Sequence, residues 1–281
     1  MNTAINLAQA RAELLASARA IRANNPLPIE WLPLAQSLNR ILAEDVNASI
    51  DVPPAANSAM DGYALASANV KPGQRLLISQ HIAAGSLAQP LVPATAARIL
   101  TGGEIPFGAN AVIIQENCLH EGEHIVLQTP VSSGDNIRPR GQDIARGSRL
   151  FEHGQRLGPA DLGLLASINI SQVPVFKSLS VSLLCTGNEL VEPGTPLAPG
   201  QIYNTNRFML AALLARLGCV VTREKQVADT LEQTRTALQQ AAGAQLILSS
   251  GGVSVGDADY VKQAVTELGA LDLWKVAIKP G

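Results

Sequence analysis

The sequence is poor in aromatic side chains, in charge and in cysteine. Aromatic residues make up 3% of the 281 residues and charged residues 16%, whereas apolar residues make up 47%. The core must therefore be aliphatic, and nucleic-acid binding by base stacking on aromatic rings is disfavoured. With 21 Lys and Arg against 23 Asp and Glu, the formal net charge is -2, which gives no basic field toward nucleic acid or a membrane surface. Any anion site must be local.

The three cysteines, Cys118, Cys185 and Cys219, are far apart and show no C-x-x-C spacing. This pattern argues against a disulfide framework and against a zinc knuckle. No apolar run reaches the roughly 18 residues of a spanning helix. The four histidines lack metal-ligand spacing and are interpreted as surface residues. We expect a soluble, cytoplasmic protein with no nucleic-acid or membrane partner.

Apolar periodicity predicts a helical start and then a β-rich region. Residues 4–23 have the spacing of an amphipathic helix that ends before Pro26. A short helix near 34–38 and a strand at 41–43 are predicted next. Between 46 and 139, short apolar runs alternate with Gly, Pro and Asn turns, which is typical of a small β domain.

Residues 140–175 are expected to form one region together with the N-terminal residues 1–45. A strand pair is predicted over 149–157 and a helix over 159–167. We interpret 1–45 and 140–175 together as one linking region.

A break predicted at Pro174 precedes a region, 176–281, in which strands and helices alternate. The order βαβαβα indicates an open parallel sheet. Its elements are predicted at 179–184, 206–217, 220–226, 231–241, 246–248 and 258–268.

The last of these strands runs into a Ser/Gly loop that has the composition of an anion cradle. Glycine amides, serine hydroxyls and the free N–H groups of a helix N-terminus together bind phosphate. Gly251 and Gly256 have P-loop spacing, but Asp257 replaces the lysine that would meet the β and γ phosphates. An ordinary NTPase is thus disfavoured, and an acid beside a phosphate indicates a bridging cation or a proton transfer. A plain strand-to-helix turn is the alternative.

Carboxylates follow each strand of the predicted parallel sheet, where ligands bind. Glu189 follows the first strand, Asp229 the second, and Asp257 and Asp259 the third. Their convergence beside a phosphate predicts Mg²⁺, which binds carboxylates, water and substrate phosphate. Taken singly, Asp229 could cap a helix, and Asp257 or Asp259 could complement a helix dipole.

Three polar loops outside that sheet are further candidates. Asp61 lies in a polar loop after two prolines, and the Thr101 hydroxyl could donate to an oxyanion. Asp143 lies among four arginines whose guanidinium groups suit phosphate or another tetrahedral oxyanion. These are Arg138, Arg140, Arg146 and Arg149. Tight turns and a solvated linker are the structural alternatives.

Taken together, these segments resemble the MoeA/gephyrin family of molybdopterin molybdenumtransferases. The motifs occur in the family's order over nearly the whole chain, and no single one would suffice. The matching segments are 57–64, 98–103 with 105–106, 136–138 with 141–143, 186–190, 249–259 and 274–281.

The resemblance implies an α/β multidomain fold. It places an open parallel, MogA-like molybdopterin-binding domain over 176–281 and a β-rich domain over 46–139. Residues 1–45 and 140–175 would form an elongated linking and dimerisation region. Similarity to the family's homodimers implies an active site shared between subunits, and a molybdopterin adenylyltransferase is a further expected contact.

The implied substrates are adenylylated molybdopterin and molybdate, which would give the molybdenum cofactor and AMP. Positioning and charge stabilisation would drive the transfer without a covalent nucleophile, while carboxylates bind metal or move protons. The implied catalytic residues are Asp61, Thr101, Asp143, Glu189, Asp259, Lys275 and Lys279. The implied pterin-binding and phosphate-binding residues are Arg138, Thr186, Gly187, Ser250, Gly251, Gly252 and Ser254. The implied Mg²⁺ ligands are Asp229, Asp257 and Asp259.

The sequence ends at Gly281, whereas family members continue through the rest of the α/β domain and a further small β domain. We therefore expect weak or absent catalysis by this chain, with partial ligand binding. Two alternatives stay open. One is a non-catalytic, gephyrin-like scaffold, and the other is a nucleotide hydrolase or a molybdopterin adenylyltransferase.

Overall fold

The computed structural model describes residues 4–251, 260–273 and 276–278. The chain divides into two compact units. The α/β unit comprises Met1–Trp31 and Pro174–Gly281, and the β unit comprises Leu32–Val173. Among the described residues, no helix combines the length and the apolar character needed to cross a membrane.

The elements up to the end of the β unit are α1 (Leu7–Asn24), β1 (Ile29–Pro33), β2 (Val46–Asn47), β3 (Asn57–Ser58), β4 (Gly62–Leu65), β5 (Arg75–Ile82), β6 (Thr95–Ile99), β7 (Ala111–Ile114), β8 (Cys118–Glu121), β9 (His124–Leu127), β10 (Ile137–Arg138), β11 (Arg149–Phe151), α2 (Pro159–Ser167) and β12 (Gln172–Phe176). The later elements are β13 (Ser180–Thr186), β14 (Leu190–Val191), β15 (Ile202–Tyr203), α3 (Thr205–Arg216), β16 (Val220–Val227), α4 (Leu231–Ala241), β17 (Leu246–Ser250) and α5 (Tyr260–Leu268).

A six-stranded mixed sheet is the centre of the β unit. Its strand order is β7-β4-β6-β5-β9-β8, and β5 and β6 pair in parallel whereas the other neighbours are antiparallel. Because side chains alternate along a strand, β4 sends Tyr63 and Leu65 into one core cluster and Ala64 into another. β4 is thus covered on both faces, which fixes its position and that of the loops at its ends.

Gly62 opens β4 at a point where no side chain fits. A Cβ there would lie 2.0 Å from the carbonyl oxygen of Ile113 on β7. The close approach of the two backbones therefore requires glycine directly after Asp61.

Three parallel strands form the sheet of the α/β unit, as the alternating pattern predicted. β13 lies between β16 and β17, and its residues Val181 and Leu183 are fully buried. The register pairs Thr186 with Val227 and Cys185 with Ser250. The carboxyl ends of all three strands therefore meet at one edge of the sheet.

Two local predictions differ from the structure. The short helix near 34–38 is a single 3-10 turn over Leu34–Gln36, and the strand at 41–43 is reduced to one bridge between Ile41 and Arg156. Pro174 lies inside β12 without interrupting that strand, and the boundary between the two units falls directly before it, where the sequence predicts a break. Proline lacks an N–H donor but already has a φ compatible with an extended strand, so it is tolerated at a sheet edge.

Candidate functional site

A small cavity lies at the carboxyl edge of the parallel sheet. Its volume is about 150 Å³, below the 300 to 1,000 Å³ or so of whole-ligand pockets. It is lined by Thr186, Glu189, Leu190, Ile202, Tyr203, Asn204, Thr205, Asn206, Ser250 and Gly251. Four of these, Thr186, Glu189, Ser250 and Gly251, are residues that the sequence singled out.

Gly251 lines this cavity at a position where only glycine fits. Its φ is +95°, and a Cβ there would lie 2.7 Å from the Thr186 carbonyl oxygen and 2.8 Å from the Thr186 Oγ1. Both the left-handed backbone and the close contact exclude a side chain. Gly187 is similar, since a Cβ would lie 2.7 Å from the Glu189 carboxylate oxygens. Gly251 thus lets the loops after β13 and β17 approach each other, whereas the contact at Gly187 lies within one loop.

Asp229 and Asn188 join the loops that follow β16 and β13. The Asn188 N–H donates to Asp229 Oδ2 at 3.0 Å, and the Asp229 N–H donates to Asn188 Oδ1 at 3.1 Å. Asp229 does not cap the next helix, because Thr230 does so by accepting from the Gln233 N–H. The Asp229 carboxylate is therefore held at the sheet edge by the loop that carries Glu189.

Two asparagines at the start of α3 enter the site, although the sequence analysis did not single them out. Asn204 is the N-cap of α3, its Oδ1 accepting from the Arg207 N–H, and Asn206 Nδ2 donates to Ser250 Oγ at 2.9 Å. An Asn-Thr-Asn run before an apolar helix is a capping signal. That signal predicts the helix start but not its proximity to Ser250.

Two polar atoms in this cavity wall are buried without a hydrogen-bond partner among the described residues. They are Thr186 Oγ1 and Asn204 Nδ2, on residues that are 8% and 1% exposed. Asn204 also lies beside the Cys185 thiol, whose pKa is raised by burial and lowered again in part by the Asn204 amide. Sulfur is a weak acceptor, so the Asn204 amide remains short of a strong partner.

In the β unit, Asp61 and Thr101 form one hydrogen-bonded group. Asp61 Oδ1 accepts from the Thr101 backbone N–H at 2.7 Å and from the Thr101 hydroxyl at 2.8 Å. The same two loops are joined by backbone bonds between Ser58 and residues Gly102 and Gly103. The Thr101 N–H, then its hydroxyl, and more weakly the Arg98 charge, lower the pKa of Asp61. The carboxylate is thus held ionised.

The segment that carries Arg138 and Asp143, the third polar loop singled out in the sequence, is joined to the loop before Asp61 because β10 pairs with β3. Arg138 pairs with Asn57 on β3, and its guanidinium bonds to Asp143 Oδ2 at 2.5 Å. Two other arginines of the cluster are also ion-paired, Arg140 with Asp51 at 2.6 Å and Arg149 with Asp45 and Glu152. The local positive charge expected from the sequence is therefore largely balanced by acids.

Several predicted site residues fall outside the described residues. They are Gly252, Ser254, Asp257, Asp259, Lys275 and Lys279. Within 4–251, 260–273 and 276–278, no group of three or more His, Cys, Asp or Glu side chains is arranged to hold a metal ion.

Two family models match the chain. The model described as "MoeA N-terminal region (domain I and II)" matches residues 5–169, and the model described as "Probable molybdopterin binding domain" matches residues 182–281. Their boundary falls between α2 and β13.

Curated relatives agree with both models. A molybdopterin molybdenumtransferase of Haemophilus influenzae is 41% identical over 259 residues, which cover 91% of this chain and 64% of the relative. One of Synechococcus elongatus is 39% identical over 269 residues, covering 91% and 66%. The chain thus spans just under two thirds of the length of these two relatives.

A solved structure extends the comparison to the fold. The crystal structure of a molybdopterin biosynthesis MoeA protein from Pyrococcus horikoshii gives a TM-score of 0.78 at 32% identity, covering 95% of this chain and 69% of that protein. With an N-terminal model matching more than half of the residues and similar relatives over nearly the whole sequence, the chain belongs to the MoeA family.

Proposed function

We propose that this protein acts in molybdenum cofactor biosynthesis as a molybdopterin molybdenumtransferase. Molybdate would be inserted into adenylylated molybdopterin, yielding the molybdenum cofactor and AMP. The observation that carries the proposal is that segments picked out by sequence are hydrogen-bonded into groups, Asp61 with Thr101 and Asp229 with Asn188 of the loop that carries Glu189. The relatives named molybdopterin molybdenumtransferase support the same reaction.

The α/β unit is proposed to bind the pterin substrate. Thr186, Gly187, Ser250 and Gly251 surround or adjoin the cavity at the sheet edge, and Gly252 and Ser254 continue the same loop in sequence. Backbone amides and hydroxyls bind oxyanions and ring acceptors without adding charge. Glu189 would handle protons there.

Mg²⁺ is proposed to bind through Asp229, Asp257 and Asp259. The carboxylate of Asp229 fits this role, because it is anchored by the Asn188 N–H at one oxygen and is half-buried at the sheet edge. Mg²⁺ typically uses only one or two carboxylates together with substrate phosphate. When bound, the ion would neutralise phosphate charge beside these acids.

The β unit is proposed to supply the groups that act on molybdate. The ionised Asp61 would accept a proton from one dithiolene thiol as its sulfur bonds to molybdenum and would return that proton to the departing oxo group, which leaves as water with the proton of the second thiol. Thr101 would hold the Asp61 carboxylate in place. Arg138, Lys275 and Lys279 are the cations proposed for molybdate or phosphate, with Asp143 orienting Arg138 through their ion pair. We further propose a cytoplasmic homodimer in which each active site takes residues from both subunits, and contact with an adenylyltransferase.

The reaction is tested with adenylylated molybdopterin and molybdate, measuring AMP release and pterin-bound molybdenum. This chain is compared with one extended to the length of its relatives. Asp61→Asn should lower transfer by about 100-fold or more in the active form. Asp45→Asn is the matched control, since Asp45 also accepts a backbone N–H, that of His153, and has a lowered pKa. Absence of transfer by both chain lengths would contradict the proposal.

A further inference from the structure

The Asp61 carboxylate is anchored at one oxygen only. Both Thr101 donors, its N–H and its hydroxyl, bond to Oδ1, and Oδ2 accepts no hydrogen bond from the described residues. Oδ2 is therefore the oxygen that is open to a proton or a substrate. Because a carboxylate turns about its Cα–Cβ and Cβ–Cγ bonds, two bonds at Oδ1 fix the direction of Oδ2 only if the Asp61 backbone is itself held.

Ser58 holds the peptide before Asp61 from inside the β unit. It is fully buried, and its hydroxyl donates to the Met60 carbonyl oxygen at 2.6 Å. Its backbone N–H and carbonyl oxygen bond to the two residues that follow Thr101, both at 2.9 Å. Ser58 thus joins the loop of Asp61 to the loop of Thr101.

Arg98 holds the peptide after Asp61. Its Nη1 donates to the Gly62 carbonyl oxygen at 3.0 Å and its Nη2 to Gln115 Oε1 at 2.6 Å, while the guanidinium lies over the Tyr63 ring, 5.2 Å from the ring centroid. Gln115 in turn donates its N–H to the Asp61 carbonyl oxygen at 3.1 Å. Both acceptors of Arg98 are neutral, so its two bonds fix the backbone instead of pairing with a charge.

We propose that Ser58 and Arg98 are positioning residues for the transfer reaction, which hold the carbonyl groups on both sides of Asp61 and thereby the direction of its free Oδ2. Neither residue touches substrate in this role. The inference rests on the proposed function and deepens it, because it names the side chains on which proton transfer by Asp61 depends. A displacement of about 1 Å at a reacting group can lower a rate by about 100-fold, so the loss of either support should act on kcat.

Ser58→Ala and Ser37→Ala make a matched pair. Ser37 is likewise fully buried in the β unit, and its hydroxyl donates to the Pro33 carbonyl oxygen at 2.9 Å. Each variant leaves one carbonyl without its hydroxyl donor, so the urea midpoints should fall by similar amounts. Only Ser58→Ala should raise the pKa of Asp61, followed by NMR of the carboxyl carbons, because a displaced Asp61 loses part of the Thr101 bonds that lower its pKa.

The same pair is compared in molybdenum transfer, at the chain length that is active. Ser58→Ala should lower kcat by about 10-fold or more and leave the KM for adenylylated molybdopterin unchanged, whereas Ser37→Ala should match the parent chain. Arg98→Lys keeps the charge but loses the planar fork that spans two acceptors, so it should also lower kcat. Arg75→Lys is its control, since Arg75 on β5 forms an exposed ion pair with Glu121 at 3.4 Å that a lysine can replace.

Two results would overturn the inference. One is a pKa of Asp61 in Ser58→Ala that equals the value in Ser37→Ala. The other is the parent kcat in Ser58→Ala or in Arg98→Lys, which would remove that residue from the role while the proposed reaction stands. Where neither chain length transfers molybdenum, the proposed function fails, and the pKa comparison still decides whether Ser58 holds Asp61.

Discussion

In the β unit, Asp61 is satisfied within the protein, whereas in the α/β unit Thr186 and Asn204 are not. Two donors of Thr101 already bond to Asp61, while Thr186 Oγ1 and Asn204 Nδ2 are buried without a partner among the described residues. The first arrangement fixes a charge in place. The second leaves buried polar atoms desolvated without a compensating bond. The β unit has such an atom as well, Asn57 Oδ1, so the difference is between these two groups of residues.

The two units agree in one respect, since glycine permits a close backbone approach in each. A Cβ on Gly62 would lie 2.0 Å from the Ile113 carbonyl oxygen, and one on Gly251 would lie 2.7 Å from that of Thr186. The first contact lies inside a buried sheet and the second in a loop. Substitutions at these positions test whether the two units tolerate distortion differently.

Gly62→Ala is expected to have the largest effect. The β4 and β7 strands must separate to admit the methyl group, which should destabilise the chain by about 3 kcal/mol. Urea denaturation measures this. Gly163→Ala is the matched control, because Gly163 lies inside α2 with no atom within 4 Å of the new Cβ, and should stabilise by about 0.5 to 1 kcal/mol. Equal denaturation midpoints for the two variants would refute the packing argument.

Gly251→Ala is expected to have an intermediate effect. It combines a left-handed backbone with a clash against Thr186, for an expected cost of about 2 kcal/mol, and it should also weaken pterin binding because the clash displaces Thr186. Gly194→Ala isolates the backbone contribution, since Gly194 has a φ of +97° and nothing within 4 Å; we expect about 1 kcal/mol there. The clash would be disproved if the two variants were equally stable and bound pterin equally.

Thr101→Val is expected to have the smallest effect, confined to the titration of Asp61. Losing the hydroxyl donor should raise the pKa of Asp61 toward its ordinary value, but only in part, because the Thr101 N–H is the larger cause of the depression. Because the pKa of Asp61 is lower in the folded chain than in the unfolded chain, the ionised carboxylate stabilises the fold at pH values above the unfolded pKa. This stabilisation is lost as the pH falls through the folded pKa. NMR titration of the carboxyl carbons measures the change, with Asp45 as the internal reference. A pKa of Asp61 that does not move would contradict the assigned bond.

Local sequence patterns predicted regular elements well. α2 has the predicted bounds, Pro159–Ser167, because Pro159 begins the helix and Asp161 accepts from the Gly158 N–H. The parallel order of β13, β16 and β17 follows from the alternation of strands and helices. The strand expected at 41–43 is only one bridge, since an apolar run does not show how much of it finds a pairing partner.

The sequence by itself determined the family, the alternation of strands and helices in the α/β unit, and the loops that carry Asp61, Thr101 and Ser250. These depend on residue type and spacing along the chain, which are local properties. Only the tertiary structure decided that Asp61 bonds to Thr101, that Asp229 bonds to Asn188 instead of capping α4, and that Asn206 reaches Ser250. Each of these contacts joins residues about 40 positions apart, and hydrogen-bond partners at that separation are set by how strands and loops pack, which residue spacing does not encode.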